Sequence, residues 1–215
     1  STASDLNCRM FYFSKTPGWL KRLYPSGIWK IPTDHKAIYL SFDDGPHAGA
    51  TPFILDLLRK YNARATFFCI GKNVIAEPDV YKNILNEGHR VGNHTMNHLN
   101  GWKTPDNLYL ADIEKARKLI DSDLFRPPYG RISAFQIKNL TQVLKYKLIM
   151  WDVLSGDFDP AVDGAKAAKT VIKKAGPGSI IVFHDSAKSY RVIQEALPLV
   201  MAYFSEKGYS FEAIG

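Results

Sequence analysis

The chain has 215 residues, 46% hydrophobic and 23% charged, which suits one ordinary globular domain. No apolar run approaches the roughly 20 residues of a membrane-spanning helix, and two cysteines are too few for a disulfide framework. The formal charge of +7 permits an anionic partner. Its lysines and arginines are dispersed, however, in nothing longer than pairs such as Lys21-Arg22, which describes a solvated basic surface and not a nucleic-acid patch.

Ser1 to Arg9 is polar and lacks the apolar centre of a secretory signal; Cys8, within it, carries no signal of its own. Residues 10–35 hold aromatics, prolines and glycines without a period, and are expected to form an ordered extension lying against the domain. Trp19, Tyr24 and Trp29 there need an apolar surface to pack on.

From Ala37 strand and helix signals alternate. Ala37 to Phe42 reads as a strand, and Thr51-Pro52 as a capping residue and first position of a helix whose apolar stripe is Phe53, Ile54, Leu57, Leu58 and Tyr61. Ala65 to Ile70 is the next strand, with Cys69 as a buried thiol. A helix over Val80 to Glu87 stops at Gly88, followed by a weak strand, Arg90 to Gly92. Thr104-Pro105 opens a longer helix bearing Leu108, Ile113, Ala116 and Ile120. Leu124-Phe125, Lys147 to Trp151, Ser179 to Phe183 and Tyr209 to Ala213 continue the strands. Helices are expected near Ala134 to Leu144, Ala161 to Ala175 and Val192 to Lys207, the last kinked or starting late because of Pro198.

Seven strand-like runs alternating with helices argue for parallel βαβ units, in an α/β fold. An open doubly wound sheet fits the same string. Two features favour a barrel: no glycine-rich phosphate turn follows the first strand, and polar clusters follow many strands, as where βα loops converge on one face.

Those clusters carry the chemistry. His94 and His98 stand four apart, so on a helical turn both rings would project from one face and could share a metal; alone, such a pair is more often solvent or core histidines. Asp44 follows a strand end in a glycine-proline turn and supplies a third ligand. Two histidines and one carboxylate leave positions open for water, the arrangement of a catalytic site, suited to zinc and also to cobalt, manganese or iron. Asp43, beside Asp44, can divide labour with it around one centre, or simply shape an Asx turn.

With those residues in view, the run from Ala37 to Ala213 resembles the polysaccharide deacetylases of carbohydrate esterase family 4, which include chitin, peptidoglycan N-acetylglucosamine and nodulation-type chitooligosaccharide deacetylases. Five segments carry the resemblance in family order: Ser-Phe-Asp-Asp-Gly-Pro (41–46), His-Thr-x-x-His (94–98), Arg-Pro-Pro-Tyr (126–129), Asp157-Phe158, and Val-Phe-His-Asp (182–185). The resemblance implies a distorted (β/α) barrel of about seven parallel strands with outer helices. It also implies an extension at 1–36 and a deacetylase domain at 37–215. Asp44, His94 and His98 would hold one divalent ion, zinc first among the candidates. Asp43 would be the base, His184 the acid and Tyr129 a backbone oxyanion donor. Arg126 would hold Asp43 in place, and Asp157 would sit against His184. Pro128, Tyr129, Phe158, Val182 and Trp102 would line the groove.

Each role has a plainer rival: Arg126 as a surface ion pair, His184 as a packed core histidine, Trp102 as core. Asp185 is read as structural, and His35, His47 and His89 as surface or turn residues, with His47 the one to check. Three departures from the family pattern stand out: Phe158 for the usual tryptophan, Ser41 for threonine, and Val182 for leucine. The expected activity is removal of N-acetyl groups from N-acetylglucosamine residues of a glycan, with acetate released. An O-acetyl ester or non-sugar amide substrate, or a non-catalytic glycan-binding domain, are the alternatives. The expected partner is an N-acetylated glycan, with no nucleic acid and no integral membrane association, and a monomer is favoured.

Overall fold

The computed structural model describes residues 10–215, so Cys8 falls outside the described part. Nine short strands occur among these residues: β1 (Gly27–Ile28), β2 (Ala37–Asp43), β3 (Thr66–Cys69), β4 (Arg90–Asn93), β5 (Leu124–Phe125), β6 (Lys147–Ile149), β7 (Val153–Leu154), β8 (Ile180–His184) and β9 (Ser210–Phe211). Eight follow one another across the sheet as β1-β6-β5-β4-β3-β2-β8-β7, and β9 pairs with the start of β2. Every ladder is parallel, so each crossover needs a connection long enough for a helix. The helices are α1 (Gly18–Leu23), α2 (Ala50–Lys60), α3 (Gly71–Ala76), α4 (Pro78–Asn86), α5 (Asp106–Arg117), α6 (Ala134–Lys138), α7 (Gly164–Lys174) and α8 (Tyr190–Glu206). The architecture is the distorted (β/α) barrel that the resemblance implied, its parallel sheet curled with helices outside.

Strand alternation sorts the side chains. Ile38, Leu40 and Phe42 of β2 join Phe67, Ile181 and Phe183 in the outer core, under α2, α7 and α8. Ala37 and Tyr39 join Phe68, Leu124, Ile149 and Ile180 in a second cluster inside the barrel. Because side chains repeat every second residue, Ser41 and Asp43 continue the inward row of β2, and Val182 and His184 that of β8. The register then pairs Ser41 with Val182 and Asp43 with His184 at the carboxyl ends of adjacent strands. That pairing places two chemically active side chains next to each other on the face where the βα loops gather.

Two strands were not foreseen. β1 precedes the boundary expected at residue 36 and pairs with β6, while β7 ends the sheet on the other side. The segment before β1 covers that outer edge: Lys15 bridges antiparallel to Val153, the Leu154 N–H donates to Ser14 (2.9 Å), and the Thr16 N–H to Asp152 (2.9 Å). Lys30, just after β1, bridges antiparallel to Ser179 at the start of β8. Trp29 is buried and Tyr24 packs on its cluster, as expected; Trp19 is exposed, contrary to expectation.

Several helix details differ as well. Thr51 is not the cap of α2, which starts after Gly49; its hydroxyl is drawn off to Asp185. The buried row of α5 is Tyr109, Asp112, Ile113 and Ala116, and Leu108 lies outside it. The helix expected over Ala134 to Leu144 is α6 followed by a π-turn, Asn139–Val143. α8 starts early, at Tyr190, and runs through Pro198 without interruption.

Candidate active site

Asp43 ends β2 and is buried, with its Oδ1 accepting a 2.7 Å hydrogen bond from Arg126 Nη1. Arg126 follows β5 and is wholly buried, so every donor on its guanidinium needs a partner. Its Nη1 also donates to Ser41 Oγ (2.8 Å), its Nη2 to the Met150 carbonyl (2.8 Å) and its Nε to that of Ile149 (3.2 Å). The guanidinium lies 4.2 Å from the centroid of the Phe68 ring. A side chain fixed on so many sides presents Asp43 in a single orientation. The surface-pair reading of Arg126 is thereby overturned.

Asp44 turns the chain, with φ of 82°, in the left-handed region that few non-glycine residues adopt. Asn73 of α3 donates to its carbonyl (2.7 Å), and the Asp44 N–H to that of Phe68 (3.3 Å). Its Oδ1 lies 3.3 Å from His94 Nε2 and 3.1 Å from His98 Nε2, yet makes a hydrogen bond with neither. His94 Nδ1 is 2.6 Å from the Arg126 carbonyl, which can only accept; the proton is therefore on Nδ1, and Nε2 presents its lone pair to Asp44. A buried, orphaned carboxylate oxygen facing the His94 lone pair, with the His98 ring nitrogen beside it, is what a cation between them would satisfy. The three ligand atoms all lie within 4.8 Å of one another. The donor set therefore fits a divalent ion.

The two histidines reach Asp44 by a route that was not expected. Residues 94–98 form a loop after β4, not a helical turn, and both Thr95 (φ 65°) and His98 (φ 58°) are left-handed. Asp112 of α5 braces this loop. Its Oδ2 accepts from the N–H groups of Met96 (3.0 Å) and Asn97 (2.8 Å), and its Oδ1 from Asn97 Nδ2 (2.7 Å). No motif names Asp112; the available signal was a carboxylate at the spacing of a buried helical row, beside Tyr109, Ile113 and Ala116.

His184 ends β8. Its ring Nδ1 lies 2.7 Å from Asp157 Oδ1, and its backbone N–H donates to Asp157 Oδ2 (2.6 Å). Asp157 grips both the imidazole and the backbone that carries it, which turns Nε2 toward the site. Burial pushes the imidazole pKa down, but the charge and hydrogen bond of Asp157, with Asp44 and Asp43 beyond, raise it to about 10. Phe158 stands edge-on to the ring at 5.4 Å between centroids.

Asp185 turns the other way and is structural. It accepts from the Gly45 N–H (3.0 Å) and the Thr51 hydroxyl (2.7 Å), bracing the Asp43–Pro46 turn. A Cβ on Gly45 would collide with this carboxylate, which explains the glycine. His47 Nδ1 accepts from the N–H groups of Gly49 (3.2 Å) and Ala50 (2.9 Å), so it caps α2 and is no ligand.

Tyr129 is 62% exposed, with φ of 61°, and its ring lies 4.7 Å from that of His98. Its N–H belongs to the short turn Pro128–Gly130, where leading N–H groups lack partners within the turn. Pro128 is buried beneath it. Val182 is buried in the barrel wall, two residues before His184. Trp102 is 55% exposed, which removes the core reading; its Nε1 donates to Ile132 (3.0 Å) and the Arg131 guanidinium covers one ring face at 4.3 Å. Its contacts lie with Arg131 and Ile132, not with the metal ligands.

Known proteins bear on this arrangement. The family model described as polysaccharide deacetylase matches residues 30–148, more than half of the chain. The chain belongs to the polysaccharide deacetylase family. A peptidoglycan-N-acetylglucosamine deacetylase of Bacillus cereus is 36% identical over 202 residues, 90% of this chain and 94% of the relative. The crystal structure of the Bc1960 peptidoglycan N-acetylglucosamine deacetylase superposes with a TM-score of 0.84 at 31% identity, covering 93% of this chain and 95% of the other. BA3943 of Bacillus anthracis, described as a family 4 pseudoenzyme, shares the fold at 24% identity, with a TM-score of 0.76 over 91% of this chain and 69% of its own. The deacetylase fold alone therefore does not decide activity; side chains do. The family match stops before Asp157 and His184, so their place rests on the geometry above.

Proposed function

We propose that this polysaccharide deacetylase hydrolyses the N-acetyl groups of N-acetylglucosamine residues in a glycan, peptidoglycan or chitin-like, and releases acetate. The observation that carries this reading is the juxtaposition of a metal-type triad, Asp44, His94 and His98, with Asp43 and His184 paired across neighbouring strands. The relatives' names supply the substrate class. We take zinc as the ion that Asp44, His94 and His98 would hold, since two imidazoles and one carboxylate are a donor set suited to it.

When bound, such an ion polarises the acetyl carbonyl and acidifies water. Asp43 accepts a proton from the attacking water, its carboxylate held in place by Arg126. The Tyr129 N–H donates to the oxygen that gains negative charge at the acetyl carbon. His184 then delivers its Nε2 proton to the departing nitrogen, which would otherwise leave as a poor amide anion. Asp157 keeps that imidazole protonated and aimed. Binding alone requires neither a base nor an acid, so this set favours an enzyme over a glycan-binding module.

The test is acetate release by zinc-loaded protein from N-acetylglucosamine oligomers, compared with acetylated xylan. Release from the oligomers is expected. Release from xylan alone would move the substrate to O-acetyl esters, and none from either would remove the catalytic reading.

A further inference from the structure

The turn that carries Asp157 is gripped by a residue that precedes the family-matched part of the chain. The segment ahead of β1 runs antiparallel along β7, so residues 14 to 12 travel toward the carboxyl end of that strand, where residues 156–159 turn. Asp159 closes this turn: its N–H donates to the Gly156 carbonyl (2.9 Å), and its Oδ1 accepts from the Ala161 N–H (2.9 Å). Tyr12 adds a further tie. Its hydroxyl donates to Asp159 Oδ2 (3.0 Å), and its ring meets that of Phe158 at 5.0 Å between centroids. Gly156, with φ of 82°, passes so close that a Cβ there would come within 2.8 Å of the Tyr12 hydroxyl. Tyr12 therefore lies against three of the four residues of the turn, and the fourth is Asp157.

Both oxygens of Asp157 are engaged by His184, one by the ring and one by the backbone N–H. The carboxylate consequently goes where the backbone of the turn takes it. On one side that backbone is anchored by the Ser155 N–H, which donates to the Val182 carbonyl (3.1 Å). On the other side stands Tyr12. We infer that Tyr12 is a positioning residue for the acid: by clamping residues 156–159 it fixes Asp157, and through Asp157 the His184 imidazole, against the leaving nitrogen. The inference rests on the deacetylase reading for the step it serves. Its effect is confined to the acid side, because Asp43, Asp44 and the histidine loop are held instead by Arg126, Asn73 and Asp112. An N-acetyl amide breaks its C–N bond only as nitrogen takes the proton of His184 Nε2. A 4-nitrophenyl ester breaks its C–O bond to release a phenolate that needs no proton, so a displaced acid harms the first reaction and spares the second.

The experiment compares zinc-loaded wild type, Tyr12→Phe and Tyr12→Leu on N-acetylglucosamine pentamer and on 4-nitrophenyl acetate. In Tyr12→Leu, kcat for acetate release from the pentamer is expected to fall about 10-fold, less than the roughly 10²-fold that a 1 Å misplacement can cost. KM and the zinc-dependent rate on the ester should stay at wild type. Tyr12→Phe keeps the ring against Phe158 and should recover part of the loss. An equal fall on both substrates would make Tyr12 a packing residue, and no fall on either would remove it from the site; each result overturns the inference. A second measurement uses metal-free protein. The proton resonance of the His184 Nδ1–H, assigned by its absence from His184→Gln, should broaden in Tyr12→Leu as the bond to Asp157 loosens, and a resonance identical to wild type would also overturn the inference. A wild-type protein that releases no acetate would fail the deacetylase reading, and the resonance would still decide Tyr12.

Discussion

Burial by itself would make the His184 imidazole a poor base; Asp157 reverses that and brings its pKa to about 10. A general acid must hold its proton, so activity is sustained below the folded pKa and lost as pH rises through it. A divalent charge nearby pulls that limit downward from its ion-free value. Asp157→Asn removes the largest upward influence, so the alkaline limb of kcat/KM should move to lower pH, and an unmoved limb in the pH profile would remove Asp157 from this role. Asp43→Asn keeps the size of the side chain and the approach of Arg126 but cannot take a proton. Its kcat should fall by about 10²- to 10⁴-fold while zinc stoichiometry stays at wild type; unimpaired turnover would assign the base elsewhere. Asp112 touches no ligand directly, and it holds the backbone between two of them. Asp112→Ala is expected to weaken zinc binding by about 10- to 100-fold in calorimetry, with circular dichroism unchanged. Wild-type affinity would reduce Asp112 to a packing role.

The elements that carry the site were the most legible in the sequence. Apolar runs such as Ala37 to Phe42 and Ser179 to Phe183 mark strands buried on both faces, and the polar residues that end them mark the catalytic face. β1 and β7 were not legible, because two residues show no alternation; β1 also pairs with a strand over 100 positions away, and β7 lies between β8 and the distant N-terminal segment. The histidine loop misled for a different reason: a spacing of four fits a helical face, whereas left-handed Thr95 and His98 bring the rings together by turning the backbone. The N-terminal segment makes its own prediction at this scale. Asp152 is fully buried and held by Lys15 (2.6 Å), Lys21 (2.8 Å) and Ser179 (2.8 Å). Replacing both lysines by methionine strands a buried charge and frees the edge of β7. The unfolding free energy in urea should drop by about 3 kcal/mol, the lower end of what breaking a buried pair costs, since Lys15 is partly exposed. An unchanged midpoint would mean that the segment adds nothing to the barrel's stability.

At the scale of the molecule, the parallel barrel gathers side chains spread from Asp43 to His184 onto one face, while helices bury the other side of the sheet. Strain concentrates there too: Asp44, Thr95, His98 and Tyr129 are four of six non-glycine residues with positive φ among the described residues. Such backbone persists because braces elsewhere hold it, namely Asp112, Asp185 and Asn73. The account depends on a hydrolytic ion at Asp44, His94 and His98. Its most direct test is acetate release from N-acetylglucosamine oligomers by protein stripped with excess chelator, then restored with one equivalent of zinc. Loss on stripping and recovery on restoration, with no recovery in His98→Ala, is the predicted result; full release in excess chelator would contradict it.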